Sequence, residues 1–499
     1  MALSSAVMPA ISSLPIIIIS YVLWKYFNSP LKKVPGPFLA KFSDLWRLID
    51  VYEGRAELTH CMLHEKYGPA VRIGPNTVSL SEPELIPKIY SSRSEFLKSD
   101  FYTVNDSKAG KATIKTVFGV QSNEVHAQML RPIQKFYNIK YILDLEERYN
   151  IAIEEFFKKI DARLWILAPS AKWQTGYCTF HGIRSMGFVA AGTDHTEFLR
   201  NSEKSLDYFA IVGQIPALDH WLGKNPVVPI GLITFDKAAE YSAEQVINRQ
   251  KSTLDRPAGS RDMLDSFLEV KKASPEMMND NAVIGIILTN VLAGADTTAI
   301  SLRSVVYYTL KNPRVHRKLQ RELEYIPRAA SGTIKYTDAI KLPYLDAVIK
   351  EANRVHTGVG LLLERIVPEG GLTLSDGTFF PARTIVGINP WVSHRNKRVY
   401  GEDVGSFRPE RWLRYEDEGE TEAEFEARLS AMKKADLTFG AGKRVCLGKN
   451  ISILALYKLT AALFSKYEMS LVHPEKEWNV QNSWFIRQTG MEVKIAKRA

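Results

Sequence analysis

Cysteine is scarce. Cys61, Cys178 and Cys446 are the only three in 499 residues, they lie far apart, and no Cys-x-x-Cys pair occurs. A disulfide framework and a zinc knuckle are therefore excluded as organising devices, and the usage fits a reducing compartment. No internal repeat and no long Ser/Gly- or Pro-rich linker divides the chain, and no nucleotide-binding glycine fingerprint is present. Charge is missing from the first 24 residues. Elsewhere it is plentiful, with a formal net charge of +10, but the basic residues are scattered and no groove-reading motif accompanies them. That sets nucleic acid aside and leaves an anionic membrane surface or an acidic protein as partner. The 45% of hydrophobic residues is ample for a substantial core.

The uncharged start ends in the apolar run Leu14 to Trp24, after which come Lys25, Lys32 and Lys33. Roughly 20 apolar residues suffice to cross a bilayer as a helix. A cleavable signal peptide would need a basic residue before the run and small residues after it, and neither is present. Lysines on the C-terminal side predict a single-pass anchor over residues 1–27 with the body in the cytoplasm. Val34-Pro35-Gly36-Pro37 cannot continue a helix, so residues 28–40 read as a stiff hinge and residues 41–499 as the globular body.

Within that body the pattern predicts a helix over Glu57 to Lys66 and strands at Ala70–Gly74 and Thr77–Leu80. It predicts a loop over 100–123, mainly helix over 124–280, and strands again near Gly371 to Leu374. Tyr208 to Trp221 is an apolar stripe that reads as core before binding surface. Residues 414–434, acidic and then basic, read as an irregular surface insertion.

Three stretches carry chemistry. In Phe439-Gly440-Ala441-Gly442-Lys443-Arg444-Val445-Cys446-Leu447-Gly448 a single cysteine precedes an apolar helical run. A helix N-terminus and unpaired N–H groups favour a thiolate there, and glycines let backbone approach closely. A phosphate loop is excluded, because its first glycine would fall on Leu437 and its Ser/Thr on Arg444. The second stretch is a long helix, Asn281 to Leu310, interrupted by Ala293-Gly294-Ala295-Asp296-Thr297-Thr298. A glycine and a carboxylate at a helix centre are unfavourable and predict a local opening beside a cavity. The third is Glu351-Ala352-Asn353-Arg354, whose charged residues at i and i+3 share a face.

Phe439-x-x-Gly442-x-Arg444-x-Cys446-x-Gly448 resembles the haem-ligand signature of the cytochrome P-450 family at every fixed position. The central-helix stretch resembles that family's oxygen-binding segment. Glu351-x-x-Arg354, with Phe407-Arg408-Pro409-Glu410-Arg411-Trp412 downstream, resembles its buried brace. Glu364 to Gly371 and His394-Arg395-Asn396 look most like fungal microsomal members close to pisatin demethylase. The resemblance implies a mainly α fold with a smaller, mostly antiparallel β part (α+β) and a long central helix over the haem. It implies Cys446 as axial ligand of haem b, with Phe439, Gly442, Arg444 and Gly448 shaping that site. Arg365 and Arg444 would bind the haem propionates, which suit arginine's fork of donors.

Asp296 and Thr297 would handle oxygen and deliver protons, and Val359 to Leu362 would face the substrate. Glu351, Arg354 and Arg411 would brace the cysteine loop. One position departs from the family pattern: after His126, Arg131 comes five residues on rather than four, leaving Leu130 where a propionate-binding arginine is expected, so either Arg131 binds the cofactor from a shifted turn or that contact is missing. The implied activity is monooxygenation of an apolar small molecule in fungal secondary metabolism, at the endoplasmic reticulum membrane. Electrons would come from an NADPH-dependent reductase, with cytochrome b5 as an optional second donor, docking near Lys443 and Lys449. A reductase-independent haem-thiolate isomerase and a non-catalytic haem or lipid binder are the alternative readings.

Overall fold

A computed structural model describes residues 20–24, 26–109, 112–162, 197–225, 235–251 and 261–498. Most of the expected membrane span lies outside these residues, as do Cys178 and the breaks expected at Ala168-Pro169, Gly192, Pro226 and Arg256 to Gly259. Residues 20–24 and 26–27 are helical, and Trp24 and Phe27 are exposed.

The body is built around the helix Asp280–Lys311, 32 residues long. Asn279 caps its start by accepting from the Ala282 N–H, and Pro313 opens the next helix. Among the described residues it alone is long and apolar enough to cross a membrane, yet 61% of its most apolar window is buried inside the protein. It is a core helix. Val283, Ile287 and Val291 pack into the main hydrophobic cluster together with the helix Lys449–Lys466, which follows the cysteine turn. The predicted opening at Ala293 to Thr298 does not occur, since the helix runs uninterrupted. The Thr297 hydroxyl donates to the Ala293 carbonyl at 2.7 Å, so its polarity is met within the helix, and small side chains leave room without unwinding.

Beside this helical body lies a five-stranded sheet in the order Ala70–Gly74, Thr77–Leu80, Ile385–Ile388, Arg365–Ile366, Leu97–Lys98. Only the Thr77–Leu80 and Ile385–Ile388 pair is parallel, so the sheet is mostly antiparallel, as predicted. Two other expectations are corrected. Residues 100–123 are not a plain loop: they hold a 3-10 helix, Asp100–Asn105, and the paired strands Ser107–Ala109 and Ala112–Ile114. The 414–434 insertion ends in a regular helix, Glu422–Ala435, opened by a reciprocal capping box between Thr421 and Glu424. Its charged surface hides an apolar stripe, and Met432 and Ala435 are buried against Tyr400 and Trp412.

Candidate active site

The cysteine turn is folded by its own backbone. The Cys446 N–H donates to the Phe439 carbonyl at 2.8 Å, and the Gly440 N–H to Leu437 at 2.9 Å. Gly440 and Gly442 take φ of 67° and 62°, a left-handed conformation that glycine adopts without strain. At Gly442 the requirement is also steric, because a Cβ would lie 1.4 Å from the Tyr90 carbonyl oxygen. The turn then enters the Lys449–Lys466 helix. That helix is tied to the central one twice: Thr298 donates to Ser452 at 3.2 Å, while Tyr137 donates to Asn290 at 2.8 Å and receives Asn450 on its carbonyl.

Cys446 is accessible, yet it lies deep enough that burial pushes its thiol up, opposed by the Gly448 N–H and Lys449. Accessible and desolvated together describe a sulfur bordering an internal space. A Cβ built on Gly448 meets no atom within 4 Å, and one built on Gly358 finds Thr297 as its nearest neighbour at 3.9 Å. Ala293, in the middle of a core helix, is likewise exposed. These residues fit a flat cofactor ligated by the sulfur, and a metal held there deprotonates a coordinating thiol outright.

Arg365 is buried, donates to the Tyr102 hydroxyl at 3.4 Å and to the Glu364 carbonyl at 2.7 Å, and lies over the Tyr90 ring. Arg444 grips the chain before the helix Asn123–Leu130, donating to the carbonyls of Val120, Gln121 and Ser122 at 2.9, 2.7 and 3.0 Å. Burial first, and then Arg365, pull its guanidinium down to about 10. Arg131 is exposed at the C-terminal end of that helix.

Asp296 is buried and lines a cavity with Ala293, Phe118, Phe209, Trp484 and Phe485. The aromatic wall is tightly interlocked: Phe101 lies 4.6 Å from Phe209 and 5.2 Å from Trp484 between ring centroids. Trp484 sits at the tip of the hairpin Asn479–Ser483/Phe485–Thr489 with φ of 73°, a strained conformation for a bulky residue. These rings come from the 100–123, 208–221 and 483–485 segments, which by sequence are expected to shape the pocket although no motif fixes how they meet. The 208–221 stripe divides: Phe209 faces the cavity, while Tyr208 donates to Asp219 at 2.9 Å. Leu361 and Leu362 are both buried in hydrophobic clusters, and Val359 bridges to Phe485.

The brace is closed. Arg354 donates through Nε and Nη2 to both Glu351 oxygens at 2.9 and 2.8 Å. Its remaining donors reach the carbonyls of His394, Val404 and Ser406. Arg411 reaches the same carboxylate at 3.3 Å.

Residues 37–495 match the cytochrome P450 family. The chain is 35% identical to the cytochrome P450 monooxygenase cfoH of Aspergillus candidus, over 98% of its own length and 93% of that protein's. It is 35% identical to cicH of Emericella nidulans over 94% of each. With mpaDE of Penicillium roqueforti it shares 35% identity over 96% of its length and 56% of that protein's. A cysteine turn, a core helix beside it and end-to-end similarity to named monooxygenases agree, and the chain belongs to the cytochrome P450 family of monooxygenases, whose haem carries an axial cysteine thiolate.

Proposed function

We propose that Cys446 is the axial thiolate of haem b and that the chain oxidises an apolar small molecule held in the aromatic-walled cavity. The carrying observation is the accessible but desolvated sulfur at the turn into the Lys449–Lys466 helix. Haem ligated there supplies oxygen activation, its thiolate favouring O–O cleavage; the protein supplies access, orientation and protons. Phe439 packs beside the ligand turn, Gly442 and Gly448 give it clearance, and Arg365 and Arg444 take the haem carboxylates.

Thr297 is the last proton-bearing group before the reacting space. Its hydroxyl rests on Ala293 and delivers a proton by rotating off that carbonyl, with buried Asp296 as the next carrier along the same helix. The aromatic wall excludes water and holds the substrate by apolar contact. Glu351, Arg354 and Arg411 keep the ligand turn in register. Similarity to fungal monooxygenases supports a role in secondary metabolism. The uncharged start followed by lysines supports a membrane anchor over residues 1–27, a hinge over 28–40, and a body facing the cytoplasm from the endoplasmic reticulum. Without a nucleotide fingerprint in the chain, electrons come from an NADPH-dependent reductase, with cytochrome b5 as an optional second donor.

The test is the spectrum of the reduced, carbon monoxide-bound full chain. The wild type is expected to show the thiolate signature, Cys446→Ser to lose it, and Cys61→Ser and Cys178→Ser to keep it. A signature that survives Cys446→Ser overturns the ligand assignment.

A further inference from the structure

The strands Leu97–Lys98 and Arg365–Ile366 pair antiparallel with Lys98 directly opposite Arg365. Both side chains are buried, at 7% and 5% exposure. Like charges placed opposite each other destabilise a sheet, and a buried charge persists only where a counter-charge or strong hydrogen bonds complete it. Neither residue has an ion pair with a carboxylate among the described residues. Glu364, next to Arg365 in sequence, is taken by Arg47 and by Ser99, and Asp100, two residues after Lys98, accepts from Gln121. Asp106, whose field favours a charged Lys98, forms no ion pair with it.

The Lys98 ammonium has one hydrogen bond, to the Phe118 carbonyl at 2.6 Å, and lies 4.2 Å from the Tyr102 ring centroid and 4.3 Å from that of Phe118. Burial first, and then Arg365 and Arg444, hold it well below the ordinary lysine range. The geometry is thus two opposed basic groups from one sheet, with Arg444 of the ligand turn close enough for its field to reach both and to resist charging of Lys98 while no anion is bound. A bound group with two carboxylates along one edge resolves that repulsion, and haem b is such a group.

We propose that Lys98 donates to a haem carboxylate, making with Arg365 and Arg444 the cationic rim of the cofactor site in place of Arg131. The proposal rests on the reading of Cys446 as the haem ligand. Arg131, the cation that the resemblance offered, is exposed at the end of its helix, whereas Lys98 is fixed on a paired strand with its ammonium held over two rings. Fixing the donor on a strand lowers the entropy lost when it engages the carboxylate.

The experiment uses the haem-loaded full chain. Lys98→Met keeps an unbranched side chain of similar length and removes the charge; Lys98→Arg restores it. Two quantities are read: the rate of haem transfer to apomyoglobin, and the propionate-bending band in the resonance Raman spectrum, which packing changes alone do not move. Lys98→Met is expected to release haem about tenfold faster, the loss of one charge-assisted hydrogen bond, with the band displaced. Lys98→Arg is expected to return both toward wild type. A band unmoved in Lys98→Met overturns the proposal whatever the release rate. If Lys98→Met takes up no haem, Lys98→Gln decides on the same band, displaced if Lys98 is a ligand and unmoved if it is not. Absence of the thiolate signature in the wild type would instead reject the haem reading beneath it.

Discussion

Glu351 has no exposed surface, and its two oxygens take five donors: Nε and Nη2 of Arg354, the Arg408 N–H, Arg411 Nε and Trp412 Nε1. Two buried guanidinium groups therefore depend on one carboxylate, with Asp403 assisting only Arg411. Removing one member of a buried charge set costs about 3–5 kcal/mol, because the others stay buried without compensation. Glu351→Gln keeps the shape and removes the charge. It is expected to lower the thermal melting point by several degrees and to reduce the haem-loaded fraction on purification; melting at the wild-type temperature with full haem content would refute the brace. At this scale the sequence was legible where spacing carried information. Glu351 and Arg354 at i and i+3 announced a pair, and Arg411 followed by resemblance. Trp412 and the Arg408 N–H did not, because a ring or backbone donor arriving from 57 to 61 residues away leaves no local pattern. Lys98 was invisible for the same reason, a lone lysine whose burial is decided by strand pairing.

The element most legible in the sequence was the longest. An apolar pattern stopped by Asn312-Pro313 reads as a helix over Asn281 to Leu310, within a residue at each end of the observed Asp280–Lys311. What failed was the inference that glycine and aspartate must open it, since a threonine hydroxyl bonding back to i−4 satisfies the helix without a break. The Glu422–Ala435 helix failed the other way. Its charge run reads as irregular solvated surface, although Thr421 and Glu424 form a capping box and Met432 and Ala435 supply a buried face. That cap is separable from the haem site, so Thr421→Ala tests it cleanly. Losing such a cap costs about 1 kcal/mol. Amide hydrogen exchange over residues 422–426 is expected to speed up about fivefold, with the carbon monoxide spectrum unchanged. Unaltered exchange there would mean that tertiary contacts, and not the cap, hold the first turn.

For the whole molecule, the sequence foretold a chain with no electron-carrying cofactor site beyond one cysteine turn, and so a partner. The structure adds where that turn meets the surface. Val445 beside the ligand is 44% exposed, Lys449 is exposed, and its ammonium stands 5.8 Å from the Phe439 ring centroid. A protein of net charge +10 that presents lysines beside the exposed Val445 of its cysteine turn suits an acidic donor protein, because electron transfer falls steeply with distance and docking there shortens the path. Electrostatic steering raises association rates most at low salt and fades once the screening length falls to about 3 Å near 1 M. Lys443→Glu with Lys449→Glu should therefore reduce NADPH-dependent turnover in reductase-containing membranes about tenfold at low ionic strength, with variant and wild type converging as salt rises. The thiolate signature should stay intact, separating a docking defect from a damaged ligand turn. Turnover equal to wild type at every ionic strength would place the reductase elsewhere on the surface.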